Sequence, residues 1–182
     1  MTIYDVTIQN EYLQNYSSMI SNIVGRAIDI KKQIIKDSIY DIVKVEHKME
    51  FVLTINGISF INDSISTNLN STWFSLESVG NEIVWIVDGN NNITTFNSIK
   101  DIIKQKVFAI IIIGENKIFN KKIIEFNKNV YIVSNIEDSV QLAYKIGKRG
   151  TNVLFSPASS SFNKYKNYKE RGICYKKLVK CL

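Results

Sequence analysis

The sequence lacks the features that mark membrane, secreted and nucleic-acid-binding proteins. Its longest apolar run, Val107 to Ile113, has the length of a strand and is far too short to span a bilayer. There is no signal peptide, so we expect a cytoplasmic protein in which Cys174 and Cys181 are reduced thiols. Although the net charge is +6, the lysines are scattered and no basic cluster alternates with exposed aromatics. We therefore expect neither nucleic acid nor a membrane as a partner.

Proline, alanine and glycine are scarce, whereas isoleucine, asparagine and lysine dominate. This bias is typical of an AT-rich genome, which raises lysine content without selecting a basic surface. The hydrophobic content of 45% and the charged content of 22% are those of a globular protein. At 182 residues, the chain is long enough for one ordinary domain and an appendage.

Apolar strands alternate with amphipathic helices from about residue 50 onwards. The first two strands, 51–55 and 58–62, are joined by Asn56-Gly57, a strong hairpin signal. Helices are predicted through Trp73 to Val79, from about Lys117, and over 136–146 with Ser134 or Asn135 as the cap. The remaining strands are predicted at 82–87, 107–113, 130–133 and 152–155. The pattern predicts an α/β fold with a Rossmann-like, mostly parallel sheet, one antiparallel hairpin strand, and helices on both faces.

The N-terminal segment, residues 1–45, has helical spacing but no strand. Its apolar stripe includes Tyr12, Tyr16, Met19, Ile20 and Ile23. We therefore expect a helical appendage, which cannot be a complete α/β unit.

The most informative stretch, residues 156–172, follows the last strand. Pro157, the single proline, ends that strand, and three serines then open a segment in which Phe162, Tyr165 and Tyr168 have helical spacing. A serine-rich helix start can bind a carboxylate or phosphate, or its serines can simply cap a surface helix.

Two other polar turns, 63–68 and 88–92, also follow predicted strands. Ligands of parallel sheets gather where the strands end, so we expect these turns to converge with 156–161 around one pocket.

These turns resemble the motifs of the Mur ligases, and in particular the branch that adds D-glutamate. Ser156-Pro157-Ala158 begins the C-terminal match, which continues through Ser161-Phe162 and Lys166-Asn167-Tyr168 to Arg171-Gly172. An Asn-Asp-Ser-Lys-Ala-Thr-Asn motif of the family matches at Asn62, Asp63, Ser64, Thr67 and Asn68. The resemblance implies that residues 46–182 are the amino-acid-binding C-terminal domain and residues 1–45 a helical remnant of the central ATPase domain.

The resemblance also implies roles for single residues. Thr67, Ser161 and Tyr168 would hold D-glutamate, whereas Lys48 and Asp63 would lie near the nucleotide. The sequence departs from the family at three charged positions: Ile65 and Asn92 replace lysines, and Lys48 replaces an arginine. His47 also falls in the resembling junction, as a structural hinge or surface residue rather than a catalytic base.

ATP and Mg²⁺ are the family's cofactors, and D-glutamate and UDP-muramoyl-alanine are its substrates. Because the sequence has no Gly-x-Gly-Lys-Ser/Thr loop, we expect this chain alone not to bind ATP. Three hypotheses follow: a ligase portion working with a separate chain that carries the ATPase domain, a non-catalytic remnant that keeps only the fold, and a basic nucleic-acid binder, which the scattered lysines disfavour.

Overall fold

A computed structural model describes residues 45–80, 82–89, 99–114, 116–127, 129–162 and 164–182. The chain divides into two compact units, Met1–Glu46 and His47–Leu182. All of the strands and helices named below belong to the second unit. The helical prediction for residues 1–45 concerns residues that, apart from 45, lie outside the described ranges. Asn92 also lies outside them.

The second unit begins with an antiparallel hairpin formed by β1 (Glu50–Ile55) and β2 (Ile58–Asn62). Its two-residue turn has positive φ at both positions, 50° at Asn56 and 80° at Gly57. This turn matches the right-handed twist of the two strands, and asparagine and glycine are the residues that accept its backbone angles. The hairpin prediction is confirmed.

The rest of the unit alternates strands with helices. In chain order the elements are α1 (Leu69–Ser78), β3 (Ile83–Asp88), α2 (Lys100–Lys106), β4 (Val107–Ile113), α3 (Lys117–Ile124), β5 (Val130–Val133), α4 (Ile136–Ile146), β6 (Asn152–Phe155) and α5 (Tyr168–Lys180). The six strands form one sheet in the order β1-β2-β6-β3-β4-β5. All neighbours except β1 and β2 are parallel.

Each face of the sheet is covered by its own layer of helices. The strands alternate side chains between the faces, so that Trp85 and Leu154 pack with α1, α2 and α3, whereas Val84 and Phe155 pack with α4 and α5. The predicted class, a mostly parallel sheet with one antiparallel strand and helices on both faces, is confirmed. Among the described residues, no helix has both the length and the apolar character needed to cross a bilayer.

Two helix predictions need correction. The seven-residue helix α2 was not predicted; its N-cap residue, Ile99, provides no side-chain hydrogen bond. The helix expected to open at the serines begins instead at Tyr168, where the side chain of Asn167 accepts a hydrogen bond from the N–H of Glu170. The described residues 156–162 and 164–167 form no helix, so the serines are not helix caps.

Candidate functional site

The polar turns that follow β2, β6 and β3 lie side by side at one edge of the sheet. They are neighbours because β6, the last strand of the chain, inserts between β2 and β3. The chain reverses its direction across the sheet at this point, since α4 returns it from the outer strand β5. Ligands of open α/β sheets bind in the crevice at such a reversal. The predicted convergence of turns 63–68 and 156–161 is therefore confirmed. Asp88 and Gly89, the described residues of turn 88–92, lie at the same edge.

A buried carboxylate, that of Asp63, joins the first two turns. Its Oδ2 accepts hydrogen bonds from the hydroxyls of Ser75, at 2.6 Å, and Ser156, at 2.8 Å. Its Oδ1 accepts from the N–H of Met49, at 3.3 Å. Burial raises the pKa of Asp63, and these hydrogen bonds oppose the shift. Both oxygens of this carboxylate therefore accept hydrogen bonds from the protein.

The guanidinium of Arg171 clamps the same two turns together from α5. Only 2% of this residue is exposed. Its Nη2 donates to the carbonyl of Ser64 at 2.8 Å, and its Nη1 donates to the carbonyl of Ser159 at 3.0 Å. Burial lowers the pKa of Arg171 to about 10, with Asp88 and Tyr165 opposing the shift, so the side chain stays charged at neutral pH. The clamp therefore fixes the spacing between the two turns.

His47 is completely buried, which makes the surface alternative for this residue wrong. The amide of Asn62 contacts its Nδ1 at 2.8 Å and donates to Glu50 at 3.1 Å. The amide oxygen accepts from the N–H of Ser64, and this fixes the NH₂ group toward the ring. Nδ1 of His47 is therefore an acceptor and carries no proton. These contacts give His47 a structural role, and its role as a hinge stays a prediction.

The five residues predicted for the site are placed differently. Thr67 is exposed in the turn before α1, Ser161 is 5% exposed, and Tyr168 is half-buried at the start of α5. Lys48 is exposed next to His47, and Asp63 is buried between the turns that follow β2 and β6. The hydroxyls of Thr67 and Ser161 form no hydrogen bond with the described residues. Their predicted contacts with D-glutamate and the nucleotide stay predictions.

Sequence reasoning gave no role to Arg171 or to Asp88. The hydroxyl of Ser159 donates to Asp88 at 2.9 Å, which ties the end of β3 to the serine turn. The available signal was the Arg171-Gly172 pair at the end of the C-terminal motif. Spacing alone does not show that this arginine reaches Ser64, which lies 107 residues away in the chain.

Comparison with solved structures assigns the architecture. The chain superimposes on MurF from Acinetobacter baumannii with a TM-score of 0.53 and 11% identity, over 86% of this chain and 35% of that one. For the UDP-N-acetylmuramate-alanine ligase MurC from Thermotoga maritima, the TM-score is 0.52 at 12% identity, over 85% and 35% of the two chains. No family model matches the chain. The fold is that of Mur ligase C-terminal domains.

Curated sequence relatives narrow the class. The UDP-N-acetylmuramoylalanine–D-glutamate ligase of Christiangramia forsetii is 36% identical over 170 residues, which is 91% of this chain and 38% of the relative. The enzyme of the same name from Salinibacter ruber is 30% identical over 168 residues, 92% of this chain and 36% of the relative. In sequence the chain is similar to these D-glutamate ligases, and it spans a little over a third of their length.

Proposed function

We propose that this chain supplies the amino-acid-binding domain of a ligase that joins D-glutamate to UDP-N-acetylmuramoyl-L-alanine in peptidoglycan synthesis. The observation that carries the proposal is the sequence relationship to D-glutamate ligases over about nine-tenths of the chain. The two turns that hold Thr67 and Ser161 are adjacent at the sheet edge, as a shared ligand requires.

Free hydrogen-bond donors at this edge suit a dicarboxylate. The hydroxyls of Thr67 and Ser161 are uncommitted among the described residues, and hydroxyls donate readily to carboxylates. The N–H of Tyr168 opens α5, where backbone donors have no partner within the helix. Its carbonyl is fixed by the hydroxyl of Ser64 at 2.8 Å, which holds the N–H in place. These three donors would orient D-glutamate for attack by its amine.

ATP, when bound, would supply the phosphoryl group that activates the acceptor carboxylate. This chain has no phosphate-binding loop, and Asp63 is committed to protein donors. We propose that these residues contribute only the amino-acid pocket and work with an ATPase domain, carried by a separate chain, that holds ATP and Mg²⁺.

A non-catalytic remnant is the second candidate, and Ile65 favours it. This half-buried isoleucine stands where the resembling motif has lysine. Loss of a charged hydrogen bond to a carboxylate costs about 1.5–3 kcal/mol, which corresponds to roughly 10- to 100-fold in affinity.

Calorimetry with D-glutamate on the full chain separates the two candidates. We expect saturable heat that Ser161→Ala reduces, with L-glutamate as the stereochemical control. The variant Ile65→Lys with Asn92→Lys should bind more tightly if the pocket geometry survives. Absence of heat in both the natural chain and this double variant would reject a retained pocket.

ADP release that requires D-glutamate, this chain and a second chain with the ATPase domain would support the split ligase.

A further inference from the structure

A second cleft opens at the same edge of the sheet, on the face covered by α4 and α5. Its volume is about 50 Å³, and its apolar lining includes Phe155. Polar lining comes from Asp88, Asn135, Lys164, Tyr165 and Arg171. None of the three residues predicted to hold D-glutamate lines it. The cleft is therefore separate from the donors of Thr67, Ser161 and Tyr168, and the inference about it does not depend on the proposed function.

Arg171 brings more donors to this cleft than the protein uses. A guanidinium has five N–H groups. In the described residues they find four acceptor atoms, the carbonyl and hydroxyl oxygens of Ser64 and Ser159, and the contact to the hydroxyl of Ser159 is long, at 3.5 Å. At least one N–H of this buried cation is left for a further acceptor.

The start of α4 adds backbone donors to the same wall. The side chain of Asn135 accepts from the N–H of Asp138, and its carbonyl accepts from the N–H of Ser139. Ile136 lines the cleft, and its backbone N–H has no acceptor among the described residues. A helix start of this kind favours negative charge, and the exposed carboxylates of Glu137 and Asp138 weaken the preference.

The charges around the cleft give it a positive balance. Lys164 and Arg171 carry two positive charges against the single negative charge of Asp88. Oδ2 of Asp88 already accepts the hydroxyl of Ser159. Burial raises the pKa of Tyr165 to about 12, so its phenol remains a neutral donor at physiological pH. The phenol of Tyr165 also hydrogen-bonds Cys174, so the donors left for a ligand are those of Lys164, Arg171 and Ile136. The space is large enough for a few water molecules or one small group.

We propose that this cleft binds a single oxyanion group, a phosphate or a carboxylate, held by Lys164, Arg171 and the N–H of Ile136. Arg171 and Asp88 both contact Ser159, so an anion here would also act on the turn that contains Ser161.

The test is a titration of the full chain with inorganic phosphate and, separately, acetate at constant ionic strength, followed by amide chemical shifts. We expect saturable shifts at Ile136 and Tyr165, and the tighter of the two anions identifies the source of the oxyanion. Lys164→Gln should weaken binding about three- to five-fold, as expected for one exposed ion pair. Lys166→Gln, an exposed lysine two residues away that does not line the cleft, is the matched control.

Asp88→Asn tests the sign of the ligand's charge. Removing this negative charge should tighten anion binding. Three results would overturn the proposal: no saturable shift with either anion, equal losses in Lys164→Gln and Lys166→Gln, or weaker binding in Asp88→Asn. The first shows an unoccupied cleft, the second nonspecific attraction to lysines, and the third a cationic ligand.

Discussion

Gly172 of α5 packs against the imidazole of His47, where an added Cβ atom would lie 2.8 Å from Cγ of the ring. Alanine normally stabilises a helix by about 1 kcal/mol relative to glycine. Here the buried ring has no room to yield, so Gly172→Ala should lower the free energy of unfolding by about 1–3 kcal/mol, as overpacking does. Urea denaturation of the full chain measures this change.

The control for that variant is the same substitution in a His47→Ala background. Removal of the ring removes the overlap, so alanine at 172 should then cost nothing or stabilise the helix. Equal destabilisation in both backgrounds would show that the contact with His47 is not the reason for glycine at this position.

Arg171→Met should destabilise the domain by about 2–5 kcal/mol. The variant keeps much of the buried volume but leaves the carbonyls of Ser64 and Ser159 without their donors, at about 1–3 kcal/mol each. Chemical denaturation gives the difference. Arg149→Met, an exposed arginine in the turn before β6, should change stability by no more than about 0.5 kcal/mol. Similar small effects from both variants would argue against the clamp.

Strands and amphipathic helices were the predictable part of this fold. The strand Val107–Ile113 and the helix Ile136–Ile146 have the predicted bounds because the apolar pattern is strong and their ends carry turn residues. The short helix α2 lacks a side-chain cap and was missed. The spacing of Phe162, Tyr165 and Tyr168 mimics one helical face, yet Phe162 is 76% exposed and packs on no core.

The candidate site was predictable in position but not in construction. The polar turns follow strands, so topology brings them to one edge. The clamp by Arg171 depends on which strand inserts beside β2, and this pairing is set by tertiary packing rather than by local spacing. Arg171 and Ser64 are 107 residues apart in the chain, and a contact between residues so far apart leaves no periodic pattern in the sequence.

Asp63 should make the stability of the domain depend on pH. Burial raises its pKa in the folded state above the usual value of about 4, so the folded chain binds this proton more tightly than the unfolded chain does. The stability from this group is therefore complete below about pH 4 and is lost as pH rises through the folded pKa. Asp63→Asn removes this dependence. Urea midpoints of both proteins should show the natural chain losing stability relative to the variant as the pH rises from about 3 to 7. If the natural chain instead gains stability relative to the variant, the pKa of Asp63 is not raised in the folded state.

Tyr175→Phe should stabilise the domain. The hydroxyl of Tyr175 is buried and has no hydrogen-bond partner among the described residues, while its ring stacks on Phe155 with centroids 4.5 Å apart. Burial raises the pKa of Tyr175, so the phenol stays neutral and the cost is that of a desolvated hydroxyl, about 1–3 kcal/mol. Phenylalanine keeps the stack and removes this cost, so the melting temperature should rise. Tyr144→Phe is the control, because its hydroxyl accepts from Asn56 at 2.6 Å and its loss should lower the melting temperature slightly. If Tyr175→Phe lowers it as well, the buried hydroxyl has a bound water as its partner.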